Sequence, residues 1–161
     1  MRDPWEMAQC DTQGQLFELS AKRGYASEAF IKAFMTSKTA ADLDKDFHHL
    51  QWAGKEYIMA SLEDEYGNNL SKHGPIFDSE TLYWIGHTYR YWHFLEQESS
   101  KQIYRQAPAR TMQTVYLMYH TMSTPMAIQR LKDSFNNKKK QIKHLSLVSI
   151  NQTEVPYFIH P

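Results

Sequence analysis

The sequence predicts an all-α fold: a single helical-bundle domain of about six to seven helices over residues 1–135, followed by an extended C-terminal tail over 136–161. Three observations point there. The chain has 161 residues, the length of one ordinary domain, and its 42% hydrophobic and 14% aromatic content belongs to a packed globule. Six Gly and six Pro supply too few turn signals for a many-stranded fold. The stretch DSETLYWIGHTYRYWHFLEQ, residues 78–97, crowds Tyr83, Trp84, Tyr89, Tyr91, Trp92 and Phe94 into one candidate helix. Asp78 is placed to cap it and Glu80 adds a carboxylate to its positive first turn. Leu82, Ile85, Tyr89 and Trp92 fall on one stripe, and Trp84, His87, Tyr91 and Phe94 or Leu95 on a second. Such a helix is apolar on most of its circumference and must be wrapped by others.

The remaining elements follow in order. Residues 1–12 show no clean period and read as a loose arm with Trp5 as its anchor. Leu16, Phe17 and Leu19 make a short helix from Gln13 to Arg23, closed by Gly24. Ser27 opens a second helix with Phe30, Ile31, Phe34 and Met35 on one face. Ser37 or Thr39 starts a third. A fourth runs through 48–66, where Leu50, Ala53, Tyr57, Ile58 and Leu62 recur at helical spacing, and it is expected to flank the central helix. Residues 67–77 form a loop by their Gly, Asn, Ser and Pro content. Beyond Gln97, Ser99 or Ser100 caps a short helix that Pro108 breaks. Arg110 to Thr121 forms the next helix, with Met112, Val115, Tyr116 and Tyr119 inward. Thr124 and Pro125 open one that buries Ala127, Ile128 and Leu131. After Phe135 the chain turns basic (NNKKKQIKH) and then β-prone without a partner strand (LSLVSINQTEVPYFIHP). Residues 136–161 thus read as a segment dispensable for folding and ordered by a partner.

The sequence carries no motif that names a reaction. A single cysteine, Cys10, excludes an internal disulfide framework and any CxxC motif, and fits a reducing, cytoplasmic setting. No segment has the length and apolarity of a membrane span, and MRDPWEMAQCDTQ lacks a signal-peptide core. None of the eight histidines stands four residues from another, as helical metal sites require. Asp44, Asp46, His48 and His49 read as a solvated helix edge. There is no GxSxG and no glycine-rich phosphate loop, so an enzyme is unsupported and no cofactor or metal is expected.

Two groups of residues are candidate sites. Arg90, set among aromatic rings, requires a partner to offset its desolvation, and Glu56 and Glu63 of the fourth helix are the expected carboxylates. Tyr83, His87, Arg90 and Phe94 share a ridge at spacings of three and four, the alternative being a pocket built from them. SSKQIYRQAPARTMQTVYLM, within 99–121, has the cadence of a helix-turn-helix. There Arg110, Thr111 and Gln113 would face base edges, and Lys101, Arg105 and the run Lys138 to Lys140 phosphates. Two positions depart from that pattern: Pro108 stands where the tight turn usually takes glycine, and Tyr104 fills a site that is usually small. Charge is split as well: residues 1–98 hold 9 Lys and Arg against 16 Asp and Glu, and residues 99–161 hold 9 against 2. Halves of −7 and +7 suggest self-complementary packing or an anionic partner for the C-terminal half.

YWIGHTYRYWHF, SSKQIY and YHTMSTPMAIQRL resemble uncharacterised bacterial families of small helical proteins, some encoded beside toxin-like genes. The likeness covers about residues 16–132 and excludes the tail. It implies an intracellular antitoxin-like or accessory protein that acts by binding another protein, a toxin for example, and carries over no catalytic residue. The expected function is therefore a non-enzymatic protein-interaction module, working through a partner or self-association, with a helix-turn-helix DNA-binding regulator as the alternative.

Overall fold

The computed structural model describes residues 2–153. Within them the chain forms eight α-helices: α1 (Pro4–Lys22), α2 (Ser27–Met35), α3 (Lys38–Leu43), α4 (Lys55–Tyr66), α5 (Ser79–Glu96), α6 (Ser100–Gln106), α7 (Ala109–Tyr119) and α8 (Thr124–Thr153). Single 3-10 turns occupy His49–Trp52 and Gly67–Asn69.

The organising contact is α5 lying along α1. Two glycines set how close these helices come. A Cβ on Gly86 would sit 2.5 Å from the Gln13 carbonyl oxygen, and one on Gly14 would sit 2.7 Å from the Tyr83 ring. The bare backbones let the axes approach, and Gln13 exploits this by donating from Nε2 to the Gly86 carbonyl at 3.0 Å. Around the seam Phe17 meets Phe30, Phe34 and Tyr89 edge-on, at 5.4, 5.5 and 6.2 Å between ring centres. Leu82, Ile85, Tyr89 and Trp92 are all buried, as their stripe predicts, and α6, α7 and α8 cover further sides of α5.

Several expectations are corrected. Residues 1–12 are not a loose arm: α1 starts at Pro4, with Asp3 Oδ1 accepting from the Trp5 amide at 2.7 Å and Pro4 at the helix start. Its buried positions there include Gln9 and Cys10, so the apolar period is masked by glutamine. The segment 48–66 is not one helix, because the chain makes a 3-10 turn and then restarts after Gly54. Leu50, Ile58 and Leu62 are buried, but Tyr57 is exposed. α4 packs mainly on α1 and α3 rather than flanking α5, since α1 already occupies that side. Ser27 is the first helical residue of α2, not its cap; its hydroxyl accepts from the Phe77 amide at 2.8 Å and ties the 67–77 loop to α2.

The largest correction concerns the C-terminal segment. Ala127, Ile128 and Leu131 are buried as expected, but the helix does not end near Phe135; α8 runs 30 residues to Thr153. At 1.5 Å per residue that is about 45 Å, and every residue from Asn136 to Ile150 is exposed. The expected extended tail is thus helical through Thr153, and the rest of that expectation, 154–161, lies outside the described residues.

Candidate functional site

Arg90 is buried, 2% exposed, and its guanidinium is fully engaged. Nε donates to Gln13 Oε1 at 2.8 Å, Nη1 to Asp44 Oδ1 at 2.8 Å and to the Leu43 carbonyl at 3.4 Å, and Nη2 to Ser100 Oγ at 3.3 Å. The expectation of a buried paired arginine holds, but the named partners do not. Glu63 serves Arg23, at 3.1 Å, and Tyr25, at 2.5 Å, on the far side of α1. Glu56 lies beside Lys55. Asp44 is the partner because α3 ends just before it, turning its carboxylate toward α5. The same carboxylate accepts from the Ser100 amide at 2.7 Å and hydroxyl at 2.8 Å, so it also secures the start of α6. His93 completes the junction, its Nδ1–H donating to the Glu98 carbonyl at 2.7 Å. Its imidazole titrates below the ordinary value through burial and then the Arg90 charge, which together outweigh Asp44.

This arrangement divides the ridge Tyr83, His87, Arg90 and Phe94. His87 stacks between Tyr83 and Tyr91, at 5.8 and 6.3 Å, while Tyr83 donates to Asp11. Phe94 packs edge-on against His93 at 5.2 Å. Arg90 lines a recess with Gln9, Gln13 and Gln51, and Tyr83 lines a different one with Glu18 and Trp84.

Asp44, Asp46, His48 and His49 do not share a helix edge, since the chain leaves helix after Leu43. Asp42, His48, His49, Ser61 and Asp64 instead line an open recess of about 330 Å³. Lys45 first, then Lys38, hold the Asp42 carboxyl down at about 2, against the burial that opposes them. His48 Nδ1 accepts from the Leu50 amide at 3.1 Å, which leaves the proton on Nε2, 3.6 Å from Asp42. With its one lone pair committed, His48 in this arrangement offers no base for proton abstraction.

The α6–α7 hairpin forms as the cadence predicts. Ser99 and Gln102 make a reciprocal capping box, and Pro108 precedes α7. Lys101, Arg105 and Gln113 are exposed, Thr111 is half-buried, and Arg110 is already held by Glu28 at 3.1 Å. Lys101 and Arg105 flank a groove of about 590 Å³ with Tyr104 and Pro108.

The outer half of α8 is the feature that sequence reasoning placed in the wrong conformation. There Ile142, Leu145 and Leu147 are more than half exposed and Val148 is 37% exposed, and Ile142, Leu145 and Val148 follow one another at three-residue spacing. Lys138, Lys139, Lys140 and Lys143 surround them with no acidic residue between 136 and 150. At the point where α8 leaves the body, Lys132 bridges Glu96 at 3.0 Å and Glu98 at 2.8 Å. No helix among the described residues is long and apolar enough to cross a membrane. No family model, curated protein or solved structure matches this chain.

Proposed function

We propose that this protein is a non-enzymatic protein-interaction module whose binding element is the outer half of α8. The observation that carries the proposal is a helix continuing for fifteen exposed residues beyond its last packed turns while retaining large apolar side chains. An isolated helix is marginal in water, and a helix that keeps exposed Ile, Leu and Val fits a groove that buries them. The lysines around the stripe select a partner groove with an acidic rim and disfavour side-by-side pairing of two copies of this segment. An antitoxin-like role in a bacterial host, the form implied by the resemblance, is the specific version of this reading.

The test pairs the full chain with an Ile142→Glu/Leu145→Glu variant as bait in the source cells. The expected result is a stoichiometric partner retained by the first and lost by the second at an unchanged thermal midpoint. If the partner is a toxin, its expression alone should arrest growth and co-expression of this chain should relieve it. Equal retention by both baits would remove the role of α8.

One observation favours a second reading, DNA contact through α6–α7: Lys101 and Arg105 are exposed a turn apart with no carboxylate bound to either among the described residues. Mobility shifts that collapse as salt rises, and weaken in Lys101→Ala/Arg105→Ala, would support it.

A further inference from the structure

From the face formed by α1, α5 and α7 we infer a binding site for an alkylammonium cation. Glu18, Glu80, Tyr83, Trp84, Tyr116 and His120 line a recess of about 360 Å³ there. Two of its walls are aromatic and nearly perpendicular: the Trp84 and Tyr116 rings stand 5.7 Å apart at 67°. Their π-faces carry the negative part of the ring quadrupole, the surface to which ammonium groups are drawn. His120, itself part of the lining, stacks on Tyr116 at 4.5 Å, its Nδ1–H donating to the Tyr116 carbonyl, and so fixes that wall. Tyr83 is wedged over Gly14 and fixes the other side.

The carboxylates of the recess are hydrogen-bonded by hydroxyls but carry no ion pair among the described residues. Glu18 accepts a hydrogen bond from the Ser79 hydroxyl at 2.8 Å, and among the described residues neither Glu18 nor Glu80 pairs with a lysine or arginine. Tyr116 hydrogen-bonds Glu80, and its hydroxyl titrates above the ordinary value through burial and then through Glu80 and Asp78. Two carboxylates without counter-ions beside two aromatic faces are complementary to a group that is cationic and apolar at once. Metal ions lack the apolar half, and guanidinium prefers bidentate carboxylates to an aromatic corner. An ammonium on an alkyl stem satisfies both halves, whether it belongs to a free amine or to a lysine or methyl-lysine of a peptide.

The experiment is calorimetric titration of the full chain with choline, with its uncharged isostere 3,3-dimethyl-1-butanol, and with a peptide bearing trimethyl-lysine. The expected result is saturable binding of at least one cation, at least about tenfold tighter than the neutral isostere. A Glu18→Gln/Glu80→Gln variant should lose about tenfold or more with its thermal midpoint unchanged. Choline binding at least as tightly as the peptide assigns a free amine source, and the peptide binding alone or more tightly assigns a peptide source. Equal affinity for the neutral isostere, no saturable binding of either cation, or full affinity in the double variant would overturn the site.

Discussion

α5 and the outer half of α8 both carry large apolar side chains at helical spacing, yet the stripe Leu82, Ile85, Tyr89 and Trp92 of the first is enclosed and the second is bare. In α5 the apolar stripes are matched from outside by α1, through the Gly14 and Gly86 approach, and by α6, α7 and α8. In α8 the matching ends after Leu131, and the helix continues on its own propensity. Periodicity in a sequence therefore identifies a face that wants cover, while cover itself is a property of the rest of the chain. Enclosed apolar residues stabilise the fold. Bare ones are available for recognition.

The sharpest way to break this comparison is at Trp92, whose side chain is 0% exposed. Trp92→Ala should cost about 3–5 kcal/mol, read by chemical denaturation, and an unchanged midpoint would place this ring outside the core. Arg90→Met should cost a similar amount, about 3–5 kcal/mol, because it leaves the Asp44 carboxylate without its cation. Adding Asp44→Asn should recover part of that loss; a loss fully additive across the two positions would show that they act separately. Gly86→Ala tests the seam itself. The new Cβ meets backbone rather than a flexible side-chain tip, so about 1–3 kcal/mol should be lost, against the usual gain from alanine in a helix.

A smaller effect is expected from pH. His93 and His87 both have a folded pKa below the ordinary 6.5, chiefly through burial, so the unfolded chain takes up protons first as pH falls. Their contribution is complete above about 6.5 and is lost as pH drops through the depressed folded values. The thermal midpoint should fall between about pH 7.5 and about pH 5.5, and His93→Gln should flatten part of that slope. The smallest effect belongs to the bare helix: Leu145→Ser should shift stability by no more than about 0.5 kcal/mol. A loss above about 2 kcal/mol would mean that the outer half of α8 is covered by the chain's own body.

How legible all this was depended on whether the signal was local. Caps and short apolar periods are local, so Ser99, Gly24, the face of α2 and the Leu82, Ile85, Tyr89 and Trp92 stripe of α5 read correctly, whereas of the expected inward face of α7 only Met112 is buried. The Asp3–Pro4 start of α1 was also written in the sequence, but Gln9 and Gln13 occupy buried positions and hide the period. Arg90's burial and need for a partner were legible from the rings around it. Its partners were not, since Gln13, Asp44 and Ser100 are drawn from α1, the end of α3 and the start of α6, where no local pattern distinguishes Asp44 from Glu63. The outer half of α8 was misread because β-branched residues after a lysine run suggest an extended chain, and that weak propensity was outweighed by continuation of a helix already nucleated on the body. The ridge Tyr83, His87, Arg90 and Phe94 shows the reverse limit: correct helical spacing put the residues in line, but side-chain direction sent Arg90 inward. The recess at Glu18, Trp84 and Tyr116 joins three helices, α1, α5 and α7, and left no local trace.

The Lys132 clamp gives α8 a mechanical character. Its ammonium is pinned between Glu96 and Glu98, where α5 hands over to α6, at the end of the buried face Ala127, Ile128 and Leu131, and every residue from Asn136 to Ile150 is exposed. From that fulcrum to Val148 is about 24 Å of rod, and a rotation of about 5° at the clamp would swing the far apolar side chains by about 2 Å. If the outer half of α8 docks a partner as proposed, a perturbation at the start of α6 would be magnified along this rod where the partner sits.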